Sequence, residues 1–186
     1  MLLLKGHYAD KQLLDNLVLH LASILKKPAN EPVFLGIGSD RYILDCLGPL
    51  VGSMLTEKTP SVLVYGTLDD PLNAKNLNKR LELIKERHEG SIMIAIDASL
   101  GPADDWGMIK LFQGALQPGK AVSHKLEPVG HFYITGIVAR QEDRSKLTNS
   151  GFGSLSHVYH MARLISEAIN SWHIHYYLRD IHSIEL

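Results

Sequence analysis

The 186-residue sequence has few of the features that mark disulfide-bonded, nucleic-acid-binding and membrane-spanning proteins. It holds a single cysteine, Cys46, which cannot form an internal disulfide and so indicates a reducing compartment. With 19 Lys and Arg against 20 Asp and Glu, the formal net charge is −1, which gives no electrostatic case for binding nucleic acid. The apolar start Met1–Leu4 is too short for a signal peptide or a membrane span. We therefore expect a cytoplasmic protein with neither a nucleic acid nor a membrane as its partner.

Length and composition are those of an ordinary globular chain, with 45% hydrophobic and 21% charged residues. A chain of this length buries roughly 70% of the surface that its unfolded form exposes, so its core needs no disulfide or structural metal. No internal repeat, low-complexity tract or linker divides it. These features predict a single domain over residues 1–186.

Hydrophobic spacing predicts alternating strands and helices. Apolar runs typical of strands are Val33–Gly38, Ser61–Tyr65, Ile92–Ile96, Met108–Phe112 and His131–Ala139. Helical spacing occurs in Lys11–Leu25, in Asp45–Glu57, around Leu77, Leu81 and Ile84, and in Leu155–Trp172. The third strand does not alternate, and the order strand, helix, strand, helix, strand is typical of a parallel sheet covered on both faces. The order predicts an α/β fold, a three-layer α/β/α sandwich with a mostly parallel, mixed central sheet.

Two acidic residues fall where open α/β sheets form their ligand crevices, outside the carboxyl ends of strands. Asp45 follows the first buried strand and is expected at or just before the start of a helix, whereas Asp97 directly ends the third. The helix dipole and free N–H groups favour an ionised Asp45. Apolar neighbours and a second carboxylate favour a protonated Asp97. Such a pair can activate a water and protonate a leaving group, which is hydrolase chemistry.

Small and polar residues near the two acids are candidates for substrate binding. They are Gly38, Ser39, Asp40, Gly48, Ser99, Gly101 and His124. The glycines would let a substrate approach the backbone, and the polar side chains would supply contacts. His124 lies in the Gly- and Pro-rich stretch Gly114–Gly130, which is expected to form loops.

Each of these residues also has a purely structural interpretation. Asp45 could be a helix N-cap and Asp97 a turn residue. Cys46 stands at a helix start, where the dipole favours a thiolate, but a lone cysteine is most often packed in a core. Ser39 lacks the second glycine of a nucleophile elbow, so a serine nucleophile is not predicted.

The last 30 residues carry five of the ten histidines and an aromatic tail. His157 and His160 are spaced to share one helix face, which gives either a metal site or a solvated face. Trp172, Tyr176 and Tyr177 would cover either a dimer face or the sheet, and the sequence slightly favours a homodimer.

Five segments occur together in an order that is more specific than any one of them. They are Phe34–Arg41, Asp45–Gly52, Tyr65–Pro71, Ile94–Gly101, and Pro128–Gly130 with Ile134–Val138. Over residues 30–170 they resemble the YyaC-type sporulation proteins, a family similar to the spore germination protease and more distantly to the hydrogenase maturation endopeptidases. The resemblance implies a phosphorylase/hydrolase-like α/β/α sandwich. It also implies an aspartic-type acid pair, because the Asp-x-Leu-Gly-Pro and Ile-Asp-Ala motifs of the germination protease match Asp45 and Asp97.

The resemblance therefore implies a sporulation-associated peptidase that needs no cofactor and acts in the sporulating cell or spore. Its substrate would be a protein or peptide, such as a small acid-soluble spore protein. The chain is much shorter than the germination protease and lacks its insertions, which favours an alternative: a non-catalytic protein that binds a partner or peptide in the same crevice. The likeness to the maturation endopeptidases implies a third alternative, a divalent metal held by Asp45, Asp97 and His124.

Overall fold

The structure, a computed structural model, describes residues 1–26, 30–118, 126–142 and 154–177. Its strands are β1 (Leu2–His7), β2 (Val33–Gly36), β3 (Leu63–Tyr65), β4 (Met93–Gly101), β5 (Met108–Gln113) and β6 (Phe132–Arg140). Its α-helices are α1 (Leu13–Ile24), α2 (Leu47–Lys58), α3 (Leu77–Arg87) and α4 (Leu155–Trp172). Short 3-10 turns lie at Ile43–Asp45 and Ala103–Asp105, and a π-helical turn at His173–Tyr177 follows α4.

The strands form one mixed sheet in the order β1-β5-β6-β4-β2-β3. Pairs β2–β3, β2–β4 and β4–β6 are parallel, and β5 runs antiparallel to both of its neighbours. One apolar cluster joins the sheet to α1, α2 and α4, and a second joins the opposite face to α3. The predicted three-layer α/β/α sandwich with a mostly parallel sheet is confirmed.

The strands at the centre of the sheet are buried because both of their faces are covered. In β2, Phe34 belongs to the first cluster while Val33 and Leu35 belong to the second. Ile94 and Ala95 of β4 divide in the same way. Successive residues of a strand point to opposite faces, so a strand between two helical layers must be apolar throughout.

One strand and three element boundaries differ from those that the sequence predicts. β1 was not expected, yet Leu2–His7 pairs with β5 as an edge strand. The third predicted strand does not end at Asp97, because pairing with β6 carries β4 on to Gly101. β2 stops at Gly36, and α2 begins at Leu47 rather than at Asp45.

Glycines let α2 start almost in contact with the ends of the strands. A Cβ on Gly48 would collide with the Ile37 backbone and the Ile96 carbonyl oxygen, and a Cβ on Gly52 would collide with the Gly66 carbonyl. A Cβ on Gly36 would in turn meet the carbonyls of Gly48 and Gly66. The helix therefore packs backbone against backbone on β2 and β4, which holds its first turn at the carboxyl edge of the sheet.

The C-terminal aromatic residues have different surroundings. Trp172 is buried in the first cluster, with its ring edge-on to Phe34 at 5.9 Å between ring centroids. Tyr176 is exposed. Trp172 thus covers the sheet, and the homodimer stays a prediction. Within the described ranges, none of the helices has the length and apolar character that a bilayer crossing requires.

Gly48→Ala should lower the free energy of unfolding by about 1–3 kcal/mol, because the added methyl group has no room between α2 and the two strands. Urea unfolding followed by circular dichroism measures this change. Glu57→Ala, an exposed change in the same helix, is the matched control. A Gly48→Ala protein as stable as the control would show that the close approach of the helix is not required.

Candidate functional site

The loop after β2 is closed by backbone hydrogen bonds at both of its ends. Ile37 N–H donates to the Ile96 carbonyl of β4 at 2.8 Å, and Ser39 N–H donates to the Asp45 carbonyl at 2.9 Å. Gly38 between them has φ +137°, and a Cβ there would collide with the Asp45 carbonyl. Only glycine suits this position, so Gly38 allows the chain to turn off the sheet and return at Asp45.

Asp45 and Asp97 are brought together at the carboxyl edge of the sheet. Asp97 is the first residue of β4 beyond the β2 pairing, which ends with Gly36 opposite Ile96. The 3-10 turn that ends at Asp45 packs against β4. Ala98 N–H donates to Asp97 Oδ1 at 2.8 Å and so orients that carboxyl group. β2, which leads to Asp45, and β4, which carries Asp97, are neighbours in the sheet. The two acids can meet because these strands are adjacent.

The two carboxyl groups are weaker acids than usual, and to different degrees. Burial raises the pKa of Asp45 to about 6. Burial, and then the nearby Asp45 charge, raise the pKa of Asp97 to about 8, although the Ala98 N–H acts in the opposite direction. At neutral pH, Asp45 is thus mostly ionised and Asp97 mostly protonated.

The expected helix-dipole effect on Asp45 is wrong, because its pKa is raised rather than lowered. Asp45 lies before the N-cap of α2, which is Cys46, and no side chain caps that helix by a hydrogen bond. The N-cap interpretation of Asp45 is therefore wrong as well. Burial of the carboxyl group outweighs the dipole here.

The remaining candidate residues lie at different distances from the acid pair. Ser39 follows Gly38 in the loop, where its Oγ accepts from Arg41 N–H at 3.2 Å, and Asp40 is exposed. Ser99 is half-buried and, by strand alternation, lies on the Asp97 face of β4.

Three further candidates complete that set. Gly101 ends β4, four residues beyond Asp97, and Gly48, in the first turn of α2, is buried against the ends of β2 and β4. His124 lies outside the described residues.

Of the two interpretations of Cys46, a thiolate at a helix start or a core residue, the structure supports the core residue. It is buried, its thiol donates to the Ile43 carbonyl at 3.2 Å, and burial raises its pKa, so it is not a poised thiolate.

The histidine pair on α4 packs among aromatic rings. The rings of His157 and His160 lie 5.6 and 6.0 Å from that of Tyr8, and His157 also lies 4.6 Å from Trp106. Among the residues that the structure describes, no three His, Cys, Asp or Glu side chains are grouped as a metal site requires.

A set of charges that the sequence does not reveal lies on the same face of the sheet as Asp97. Asp97 pairs with Thr135 of β6, Thr135 with Lys110 of β5, and Lys110 with Lys5 of β1. Paired residues on adjacent strands share a face, so the four form one row. Asp105 engages both ammonium groups, at 2.5 Å from Lys5 Nζ and 2.6 Å from Lys110 Nζ. The nearest cation in this row is therefore bound to Asp105 and not to Asp97.

Comparison with known proteins identifies the family. Residues 5–168 match the family described as "Protein of unknown function (DUF1256)". The chain belongs to this family. It is also 41% identical, over 120 residues, to the "Uncharacterized protein YyaC" of Bacillus subtilis (strain 168), which confirms the resemblance to YyaC-type proteins. That match covers 63% of this chain and 58% of YyaC, so the chain spans little more than half the length of its relative.

One solved structure is similar in outline. It is the [NiFe] hydrogenase maturation protease HycI from Thermococcus kodakarensis KOD1, with a TM-score of 0.47 and 18% sequence identity. The match covers 81% of this chain and 99% of that protein.

Asp105→Asn should lower the pKa of Asp97. The substitution removes the strongest partner of Lys110, whose ammonium group then lies free on the face that carries Asp97. A neighbouring positive charge favours the ionised carboxylate. NMR titration of the carboxyl carbons measures the change, with Asp104→Asn, an exposed neighbouring acid, as the control. An unchanged Asp97 titration in Asp105→Asn would show that the ion triad does not insulate the site.

Replacing Asp97 by Asn should make stability depend less on pH between about 4 and 8. The pKa of Asp97 is raised in the folded chain, so the native state keeps a proton that the unfolded chain releases above its ordinary value of 3.8. This contribution to the free energy of unfolding is fully present below pH 3.8 and is lost as the pH rises through about 8. Asp45 adds a similar loss that ends near pH 6. Asp97→Asn should therefore gain stability over the wild type as the pH rises.

Denaturant unfolding at a series of pH values measures this difference. Asp69→Asn, an exposed acid in the loop after β3, should keep the wild-type profile. Parallel profiles for wild type and Asp97→Asn would contradict the raised pKa.

Proposed function

We propose that this protein is a sporulation-associated peptidase in which Asp45 and Asp97 hydrolyse a peptide bond. The observation that carries the proposal is the pair of carboxyl groups in one site whose pKa values differ, at about 6 and about 8. Two acids that share a site with separated pKa values supply one base and one acid at neutral pH. Burial that weakens both acids reduces stability at neutral pH, so chemistry explains the arrangement better than packing does.

The proposed reaction uses both acids in turn. The Asp45 carboxylate takes a proton from a water molecule, and the resulting hydroxide attacks the carbonyl carbon of the peptide bond. Asp97 donates its proton to the amide nitrogen as the C–N bond breaks, so an acid and an amine leave. The proton on Asp45 then passes to Asp97, directly or through solvent, which restores the starting state. The Ala98 N–H bond to Asp97 Oδ1 leaves the other oxygen of that carboxyl to carry the proton.

The substrate class that we propose is a protein or peptide, with small acid-soluble spore proteins as the first candidates. The choice of these proteins rests on the similarity to the spore germination protease that the sequence motifs imply. The resemblance to YyaC-type sporulation proteins supports action in the sporulating cell or spore. Because Asp45 and Asp97 are only partly accessible, an accessible and flexible segment suits this crevice better than a bond in a folded core.

Asp45→Asn and Asp97→Asn should each reduce cleavage by about 10²–10⁴-fold, because each variant removes one partner of the proton transfer. Wild-type activity should peak between pH 6 and 8, where Asp45 is ionised and Asp97 protonated. Mass spectrometry of a purified small acid-soluble spore protein and of casein, each incubated with the chain across this pH range, detects the products.

Asp69→Asn, the exposed control, should cleave as the wild type does. Cleavage that survives in both acid variants would refute the acid pair. A stable complex that forms with wild type and acid variants alike, without turnover, would instead establish the non-catalytic binding protein. Activity that a chelator abolishes would assign the site to metal-dependent hydrolysis.

A further inference from the structure

The carboxyl half of β4 has a free edge beside the acid pair. Asp97–Gly101 pairs with β6 on one side, from Thr135 to Arg140. On the other side β2 has already ended, since its last pair is Gly36 with Ile96. Buried residues give way at this point to half-buried ones, from Asp97 to Leu100. The strand therefore extends into a position where the adjacent strand is missing.

Strand alternation shows which backbone groups face that empty position. The carbonyl of Ile92, just before β4, accepts from Val33 N–H of β2 at 2.9 Å. The Ile96 carbonyl accepts from the N–H of Ile37, the residue after β2, at 2.8 Å, whereas the Met93 carbonyl accepts from His131 on the β6 side. Even-numbered residues of β4 thus present their backbone toward β2. The same alternation directs the backbone of Ala98 and Leu100 toward the side that β2 leaves.

Two of the four backbone N–H and carbonyl groups of Ala98 and Leu100 have local partners, and two do not. The Leu100 carbonyl accepts from Ser99 Oγ at 3.3 Å. Ala98 N–H donates to Asp97 Oδ1 at 2.8 Å. Among the described residues, no backbone hydrogen bond outside the β4–β6 ladder reaches the Ala98 carbonyl or the Leu100 N–H. An unpaired edge of this kind is a template for another strand, and proteins usually block it with Lys, Pro or a bulge. Here Ala98, Ser99 and Leu100 bring no charge or proline to the edge. The register shift at this point lies in β6, which has one extra residue between the partners of Ser99 and Leu100, Ile137 and Ala139.

Apolar side chains are exposed on the segment that leads to Asp45. The 3-10 turn that delivers Asp45 packs against β4, and it leaves Tyr42 69% exposed and Ile43 43% exposed. Large hydrophobic side chains exposed next to a free strand edge supply the pockets that a strand-adding peptide needs in addition to its backbone bonds.

We propose that the edge of β4 at Ala98–Gly101 binds the substrate as an added β-strand, with its apolar side chains against Tyr42 and Ile43. This inference rests on the proposed peptidase function and names the form of its substrate: an extended segment with apolar side chains. Four residues of strand span about 13 Å. A segment of that length places the next peptide bond at Asp97, at one end of the edge, and Asp45 faces it across the crevice.

Binding to this edge is tested with the Asp45→Asn protein, which retains substrate without cleaving it. A random library of peptides of about ten residues is passed over the immobilised protein, and the enriched peptides are sequenced and resynthesised. Hydrogen exchange with and without each peptide reports which amides become protected. We expect slower exchange at Leu100, where an N–H faces the empty position, and none at the β1 edge.

Backbone recognition is tested by N-methylation of the enriched peptides at successive residues. Because alternate N–H groups of a strand point to opposite sides, methylation should weaken binding about tenfold at every second residue and have little effect at the others. Ile43→Ala should weaken binding about fivefold. Leu83→Ala, an exposed leucine of α3, should leave it unchanged.

Each result separates the docking site from the chemistry. Alternating methylation effects with protection at Leu100, but no cleavage by the wild type, would retain the docking edge and reject the peptidase. Cleavage without protection at Leu100, or no enriched peptide at all, would reject the docking edge. Protection at Leu100 that grows with protein concentration in the absence of peptide would assign the edge to a second copy of the chain and overturn the peptide site.

Discussion

The close approach of α2 to the ends of β2 and β3 is the contact on which the rest of this structure depends. It requires hydrogen in place of a side chain at Gly36, Gly48, Gly52 and Gly66, because carbonyl oxygens of the facing segments occupy the space where each Cβ would lie. Helix and sheet meet backbone to backbone, and the first turn of α2 lies directly on the strand ends. The residue that precedes the helix is thereby delivered to the edge of the sheet, next to the strand that carries Asp97. A helix kept at the usual distance by side chains would leave the two acids apart.

The distribution of charge on the sheet helps to explain why the pKa of Asp97 stays raised. A buried carboxyl group normally acquires a cationic partner, and the row of residues across β4, β6, β5 and β1 contains two lysines. Asp105, on the turn after β4, binds both of them. Asp97 thus keeps its proton at neutral pH beside an ionised Asp45, at a cost in stability. Destabilising arrangements of this kind are common in catalytic sites, since general acid–base catalysis needs an acid and a base at the same pH.

The local sequence pattern predicts the helices and the buried strands. It does not predict the features that depend on a partner far away in the sequence. Helices α1, α3 and α4 follow from apolar spacing, and β2 and β4 from unbroken apolar runs. β1 was missed because a six-residue edge strand with mixed burial is defined by its antiparallel partner β5, more than a hundred residues away. The length of β4 depends likewise on β6. For the site, strand-end positions identified Asp45 and Asp97, but the direction of the Asp45 pKa shift depends on burial by residues from several elements, and the Lys5–Asp105–Lys110 triad depends on strand register.

A single turn of the chain produces both the acid pair and the free edge beside it. Gly38 turns the backbone off the sheet after β2, which ends the strand at Gly36 and brings the chain back at Asp45. Because β2 ends early while β6 continues, β4 projects beyond it by the residues Asp97–Gly101. A longer β2 would cover that edge and would also move the loop that carries Asp45 away from Asp97. The position of the catalytic candidates and the exposure of the strand that adjoins them are therefore one property of the fold, and a substitution that straightens the chain at Gly38 would remove both together.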